Sequence, residues 1–463
     1  MQPTAHTIVA VATPSGRGGV GIVRVSGSLV AKIASALCAR ALTPRLATHT
    51  QFFDSDRNPL DDGIALHFKA PASFTGEDVL ELHAHGSPMV LQAIVRRCVA
   101  LGAIHAEPGE FTKRAYLNGK LDLAQAEAVA DVIDAATESA ARAAVRSLTG
   151  EFSKRITELQ ETLIRLRMFV EATLDFPEED VEFIEKERAS GQLAMTRAAL
   201  ESVLAQAAQG QLLHDGIRIV LAGAPNVGKS SLLNALAGED LAIVTPIAGT
   251  TRDTVRSRIS LNGLPVEIID TAGLRTTDDA VEKIGIERTR AAIRDADLAL
   301  MIVDATALDA AQSLAELSAE LPDSLRRIVV KNKSDLLPDV GAVPPRLLAE
   351  QPPIAVEPLL QVEEITVSAK TGAGLDTLRS AIAAAVGFDQ VTEGTFSARE
   401  RHVNALKRAL SHIDSAQQHL THIALELFAE ELRLSHEALG EITGEFTADD
   451  LLGEIFSRFC IGK

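Results

Sequence analysis

Gly223, Gly228, Lys229 and Ser230 occupy the fixed positions of G-x-x-x-x-G-K-[ST] in Gly223-Ala-Pro-Asn-Val-Gly-Lys-Ser230, directly after the aliphatic run Ile217, Ile219, Val220, Leu221. Those residue types at that spacing bind phosphate. The glycines let backbone N–H groups turn inward on an anion, Lys229 reaches the outer phosphates, and the Ser230 hydroxyl is placed to hold Mg2+. Asn226, Val227 and Ser231 join the same nucleotide-binding set. A strand must deliver this loop and a helix must receive it. The apolar run supplies the first and Ser231 to Ala237 the second.

Further along, Gly249-Thr250-Thr251-Arg252-Asp253 is a polar segment whose Thr251 completes the Mg2+ shell in this reading, and the strand from Val266 ends in Asp270-Thr-Ala-Gly273, a D-x-x-G. Asp270 then faces the metal through water, and the Gly273 amide senses the γ-phosphate. Strands at Leu298 to Asp304 and Arg327 to Val330 lead to Asn332-Lys333-Ser334-Asp335, an N-K-x-D. The Asp335 carboxylate accepts from guanine N1–H and amino groups and would be left unpaired by adenine. Ser368-Ala369-Lys370, after a strand at Ile365 to Val367, adds the last guanine-side loop. In this order the motifs describe a GTPase. Lys229 and Thr251 are candidate catalytic residues. Leu274 stands where a Ras-like GTPase has its water-orienting Gln, so the attacking water needs another partner. Glu282 is the nearest substitute, with Glu287 and plain surface solvation as competing readings. No arginine finger is evident either, so another cation is expected near the transferring phosphoryl group. Asn226 offers a side-chain oxygen and the segment Thr245 to Thr250 offers carbonyls, a donor set suited to a large monovalent ion. As a turn residue after Pro225, Asn226 has a second reading.

At 463 residues the chain suggests about three domains. Residues 1–118 alternate short strands (His6 to Thr13, Val20 to Ser26, Gly63 to Lys69, Val79 to His83) with an amphipathic helix, Pro88 to Leu101, and so read as α+β. Gly16, Gly18, Gly19 and Gly21 read as a hairpin turn. From residue 119 to 215 the texture is helical, with Leu148, Phe152, Ile156, Leu159, Leu163 and Leu166 spaced by three and four. The nucleotide domain runs over 216–386, interrupted by a Pro-rich surface excursion between Leu336 and Pro358. Residues 387–463 are helical again, with Leu406, Leu410, Ile413, Leu427, Leu432 and Leu434 as core candidates. The economical fold class is multidomain α/β plus α: one helical domain in two sequence-distant parts, with the nucleotide domain inserted.

A net charge of −18 works against strong non-specific attraction to nucleic acid, so any RNA contact must be local. No Trp and one Tyr leave little for a base-stacking surface. No apolar run spans a bilayer and the N-terminus lacks a signal-peptide pattern, which points to the cytoplasm and away from membranes. Cys38, Cys98 and Cys460 are too few and too scattered for a disulfide framework or a zinc site. Fourth from the end, Cys460 superficially fits a prenylation box, but Gly462 and Lys463 are wrong for one.

The phrases GAPNVGKSSLLNAL, TPIAGTTRD, DTAGLR, NKSD and SAK, together with GIVRVSG, ELHAHGS, LNGKLDLAQAEAV and a terminal FCIGK, closely resemble the MnmE (TrmE) family of tRNA-modification GTPases along the whole chain. The resemblance implies an N-terminal domain folded like tetrahydrofolate-binding domains, a discontinuous helical domain and an inserted Ras-like GTPase domain. It implies a homodimer through the N-terminal domains and a flavoprotein partner, MnmG, in a heterotetramer or larger assembly. With tRNA, GTP and a 5-formyl- or methylene-tetrahydrofolate, these place a carboxymethylaminomethyl or aminomethyl group on the wobble uridine. On matching positions it assigns Arg24, Glu81, Lys120 and Lys463 to the folate, K+ to Asn226, Thr245, Ile247 and Thr250, and a required role to Cys460. Read without the family, Arg24 and Lys120 are solvated charges and Cys460 a free thiol. The competing function is an Era-like switch docking on ribosomal RNA, disfavoured by the acidic balance and the tail.

Overall fold

The computed structural model describes residues 6–175, 182–238, 257–270, 291–337, 363–389, 394–422, 424–445, 449–457 and 459–462. Contacts divide the chain into two compact units, one of Met1–Ile133, Val145–Val203 and Asn404–Lys463, the other of Asp134–Ala144 and Leu204–Val403. The first opens with β1 (Ile8–Val11), β2 (Gly18–Ser26), α1 (Val30–Cys38), β3 (Thr48–Phe53), β4 (Pro59–Phe68), β5 (Val79–Gly86), α2 (Pro88–Ala100), β6 (Ile104–His105) and α3 (Glu110–Leu117). The strands form one sheet in the order β3-β4-β5-β2-β1-β6, antiparallel except for the β1–β6 pair. Strand alternation sends Val23, Val25, Leu80 and Leu82 to one face, where Ile33 and Leu37 of α1 and Ile94 of α2 cover them. The opposite face carries Arg24 beside Glu81.

The sequence reading passed over α1 and β3. Val30, Ile33, Ala34 and Leu37 do have helical spacing, and all four are buried. In β3 only Phe52 is buried, so its alternation is too weak to read. The glycine cluster also needs correction, because Gly18, Gly19 and Gly21 lie within β2 and only Gly16 stands in the turn. Of the three, Gly21 is needed for close packing: a Cβ there would lie 2.5 Å from Leu91 Cδ1.

The helices α4 (Leu123–Asp134), α5 (Glu138–Leu148), α6 (Glu151–Asp175) and α7 (Glu182–Asp215) follow, with Gly150 at φ +90° making the turn between α5 and α6. Phe152, Ile156, Leu159, Leu163 and Leu166 form the buried stripe of α6, and Leu148 is half-buried at the end of α5. Residues 134–144 group with the nucleotide unit: Thr137 Oγ1 donates to Gly263 O at 2.8 Å, and Ala140 and Ala143 enter its core.

That unit continues with β7 (Ile217–Ala222), α8 (Lys229–Ala237), β8 (Ser257–Leu261), β9 (Leu264–Asp270), β10 (Leu298–Asp304), α9 (Ala310–Glu320), β11 (Arg326–Asn332), β12 (Glu363–Thr366) and α10 (Leu375–Ala385). Its sheet runs β12-β11-β10-β7-β9-β8, parallel except for the edge strand β8. β10 is a continuous apolar run, LALMIV, because both faces of a central parallel strand are covered. Leu300 and Ile302 join one core layer, Met301 and Val303 the other. The Pro-rich excursion falls largely outside the described residues.

The chain returns to the first unit in α11 (Glu400–Thr421), α12 (Leu425–Thr443) and α13 (Asp449–Ser457). α12 packs along α6, and Arg197 of α7 bonds Asp414 of α11 at 2.8 Å. Leu406, Ile413 and Leu432 are buried, and Leu410 and Leu434 half-buried. Leu427 is 53% exposed, a correction: Phe428 is the position that faces the core, one residue out of the expected phase. Among the described residues no helix is long and apolar enough to cross a membrane.

Candidate functional site

In an open parallel sheet, ligands bind beyond the carboxyl ends of the strands where the winding reverses. β7 is that point, with α8 leaving its end and β9 and β10 on either side. The phosphate loop, residues 223–228, follows β7 and ends in Gly228 at φ +95°, from which α8 starts. Gly223 and Gly228 are required by what surrounds them. A Cβ at Gly223 would lie 2.6 Å from Ile302 O, and one at Gly228 2.4 Å from Asn332 Nδ2. Lys229 Nζ donates to Gly223 O at 2.6 Å and Ala224 O at 3.3 Å, which lays the ammonium across its own loop. Ser230 and Ser231 are exposed in the first turn of α8, and Val227 is buried as the loop's anchor. Asn226 is exposed with φ +64°, a left-handed conformation that asparagine tolerates.

The guanine-side residues converge on the same edge. Asn332, 2% exposed at the end of β11, donates from Nδ2 to Val227 O at 2.9 Å and accepts from the Ala369 amide at 3.1 Å. One buried side chain therefore ties three loops together. Ser368 Oγ donates to Asp335 Oδ1 at 2.7 Å and accepts from the Thr371 amide, fixing the exposed carboxylate. Lys370 is exposed beside it. Lys333 stands at φ +66°, and its ammonium meets Asp304 Oδ2 at 2.7 Å. The Lys333 hydrogen bond, with those of Thr306, pulls the Asp304 carboxyl down to about 2. Asp304 and Thr306 were missed by sequence reasoning, although Asp304 already stood as the last residue of an expected strand. β9 ends at Asp270, the first residue of D-x-x-G. Thr245, Ile247, Thr250, Thr251, Gly273 and Glu282 lie outside the described residues.

A second constellation sits on the open face of the N-terminal sheet. Arg24 and Glu81 are cross-strand partners, with Nε and Nη2 of the guanidinium 3.0 and 2.9 Å from Oε1. Lys120 Nζ reaches Pro71 O at 3.2 Å, on the loop that leads into β5. The C-terminal tail docks on this domain: Ile461 bridges Pro108, and Gly462, at φ +97°, lies so close under β1 that a Cβ would meet Val11 O at 2.2 Å. Cys460 lines a cavity of about 700 Å3 together with Thr13, Leu91, Gln92 and His105. Burial pushes the Cys38 thiol up to about 11 and the Cys98 thiol up to about 12, so among the three cysteines the exposed Cys460 is the one available for chemistry. Lys463 lies outside the described residues.

Residues 123–460 match the family model of the MnmE helical domain, and residues 7–120 that of the N-terminus of the GTP-binding protein TrmE. The chain belongs to the MnmE family. The tRNA modification GTPase MnmE of Neisseria meningitidis serogroup C (strain 053442) is 56% identical over 463 residues, 100% of both chains. That of Azoarcus sp. (strain BH72) is 55% identical over 458 residues, 99% of this chain and 98% of its own. Among solved structures, Era from Aquifex aeolicus is 26% identical, covers 42% of this chain and 66% of its own, and has a TM-score of 0.26, too low to add to the argument.

Proposed function

We propose that the chain is a tRNA-modification GTPase whose nucleotide cycle drives addition of a carboxymethylaminomethyl or aminomethyl group to C5 of the wobble uridine, together with the flavoprotein MnmG. The observation that carries this is full-length similarity to family members combined with the convergence of phosphate and guanine loops on one sheet edge. Phosphate binding fits the residues present, since the loop amides, the first turn of α8 and the loop-held Lys229 make a cradle for an anion. Asn332, Lys333, Asp335, Ser368, Ala369 and Lys370 form the guanine wall, with Gly223, Val227, Gly228 and Ser231 shaping the phosphate side.

The exposed hydroxyl of Ser230 fits Mg2+ and would hold it together with Thr251; bound there, the ion would supply charge neutralisation to the phosphates. The side-chain oxygen of Asn226, exposed at the loop, fits K+ and would hold it together with Thr245, Ile247 and Thr250, the residues the family resemblance assigns. Glu282 orients water, Thr251 and Lys229 stabilise the transferring group, and Asp270 and Gly273 report the γ-phosphate. A tetrahydrofolate derivative fits the other site: Glu81 would accept from ring donors, Arg24 and Lys120 would donate to its acceptors and carboxylates, and the family resemblance adds Lys463 to that set. Cys460 serves the modification chemistry there. We assign residues 1–118 to folate binding and homodimerisation, 119–215 and 387–463 to the helical domain and 216–386 to the GTPase, acting in the cytoplasm. Nothing observed favours the ribosome-docking switch.

The test is mass analysis of wobble nucleosides in cells lacking the protein. The modified uridine should vanish and return with the intact gene. Unaltered nucleosides in the deletion would remove the proposal.

A further inference from the structure

Phe74 is a large apolar side chain left 38% exposed, yet the loop that carries it is held by hydrogen bonds on both sides of it. Asn118 Nδ2 donates to Thr75 O at 2.7 Å and Lys120 Nζ to Pro71 O at 3.2 Å, so both flanks of Phe74 are held by the segment that supplies Lys120. Behind it, Glu77 receives Arg114 at 3.0 Å and Ser26 Oγ at 2.7 Å, and Ser26 also bonds Thr75. Arg114 is buried and shared with Glu110, which makes this anchor stiff. Buried polar bonds of this kind fix a position. The position they fix is that of an aromatic ring facing solvent.

The ring does not stand alone. The Arg24 guanidinium lies over Phe74 at 5.6 Å and over the fully buried Phe111 at 5.7 Å, while Glu81 holds its edge. A guanidinium locked in this way loses little freedom when a ligand arrives. Phe74, Arg24, Glu81 and the Lys120 segment thus form a flat apolar platform, a planar cation, a carboxylate and an exposed ammonium in one place. That set fits a planar heterocycle that bears ring N–H donors and is tethered to carboxylates.

We propose that Phe74 is the stacking platform for the pterin-type ring of the folate, and so a specificity-determining residue of that site; the inference rests on the folate reading of Arg24, Glu81 and Lys120. Base–aromatic stacking of similar flat rings is strong enough that its loss weakens binding by about tenfold to a hundredfold. The experiment titrates 5-formyltetrahydrofolate into the full-length protein and its Phe74→Leu, Phe74→Tyr and Arg24→Ala variants by calorimetry. Phe74→Leu should weaken binding by about tenfold or more, whereas Phe74→Tyr should retain it. p-Aminobenzoylglutamate, which lacks the pterin ring, should bind the unaltered and Phe74→Leu proteins equally, an outcome that a merely structural role would not give. If Phe74→Leu binds the folate as tightly as the unaltered protein while Arg24→Ala does not bind it, the stacking role is overturned and the folate site stands. If Arg24→Ala also binds normally, the folate reading itself falls.

Discussion

Asp304 illustrates how a residue outside every motif can govern one. Lys333 must hold a left-handed backbone within N-K-x-D, and the 2.7 Å bond to Asp304 fixes the far end of its side chain. Because the Lys333 hydrogen bond holds the folded carboxyl at about 2, below its ordinary value of 3.8, the stability it contributes is fully present above that ordinary value and is lost as pH falls through about 2. At neutral pH the Asp304 carboxylate is therefore charged. Asp304→Ala should therefore weaken binding of a fluorescent GDP by up to about fivefold, the upper end for a partly exposed ion pair. The same loss is expected at about pH 6 and about pH 8, since the Asp304 carboxyl is ionised at both. Unchanged affinity would mean that Lys333 reaches its place without the carboxylate.

Among the elements, those that carry function are short pieces of irregular backbone pinned by glycines to regular neighbours. Gly228 lets α8 begin against Asn332, and Gly462 lets the tail pass under β1. The tail belongs to the first compact unit and the nucleotide motifs to the second. Gly462→Val adds bulk where even a Cβ would lie 2.2 Å from Val11 O, at a φ that L side chains rarely adopt. The variant should displace the tail, losing most tRNA modification while keeping GTP turnover within about twofold, because the tail holds none of the nucleotide motifs. Parallel assays of phosphate release and wobble-nucleoside content check this, and retained modification would show that tail docking is dispensable.

Taken whole, the molecule is a GTPase without a Gln after D-x-x-G, so its hydrolysis rate depends on what else enters the site. With Asn226 exposed on the phosphate loop, turnover should be at least about tenfold faster in K+ than in Na+, a modest share of the ~10³–10⁵-fold that a positive charge supplies in other GTPases. Asn226→Ala should flatten that difference. Equal rates in the two salts, with nucleotide saturating, would end the cation mechanism.

Legible before any fold was known was the part written in local spacing. The phosphate loop, N-K-x-D and S-A-K each need fixed residue types a few positions apart, and β10 and β11 around them are apolar runs long enough to read, so their placement followed from the chain alone. The α6 stripe from Phe152 to Leu166 was legible for the same reason: one face meets one core. Tertiary structure decided what joins distant residues. The ring from Phe74 to Arg24, the bond from Asp304 to Lys333, Asn332 linking three loops and Gly462 under Val11 span separations that no periodicity encodes. Leu427 and Phe428 show the limit at short range, where an amphipathic pattern fixes that a helix exists while packing against its neighbours sets the phase.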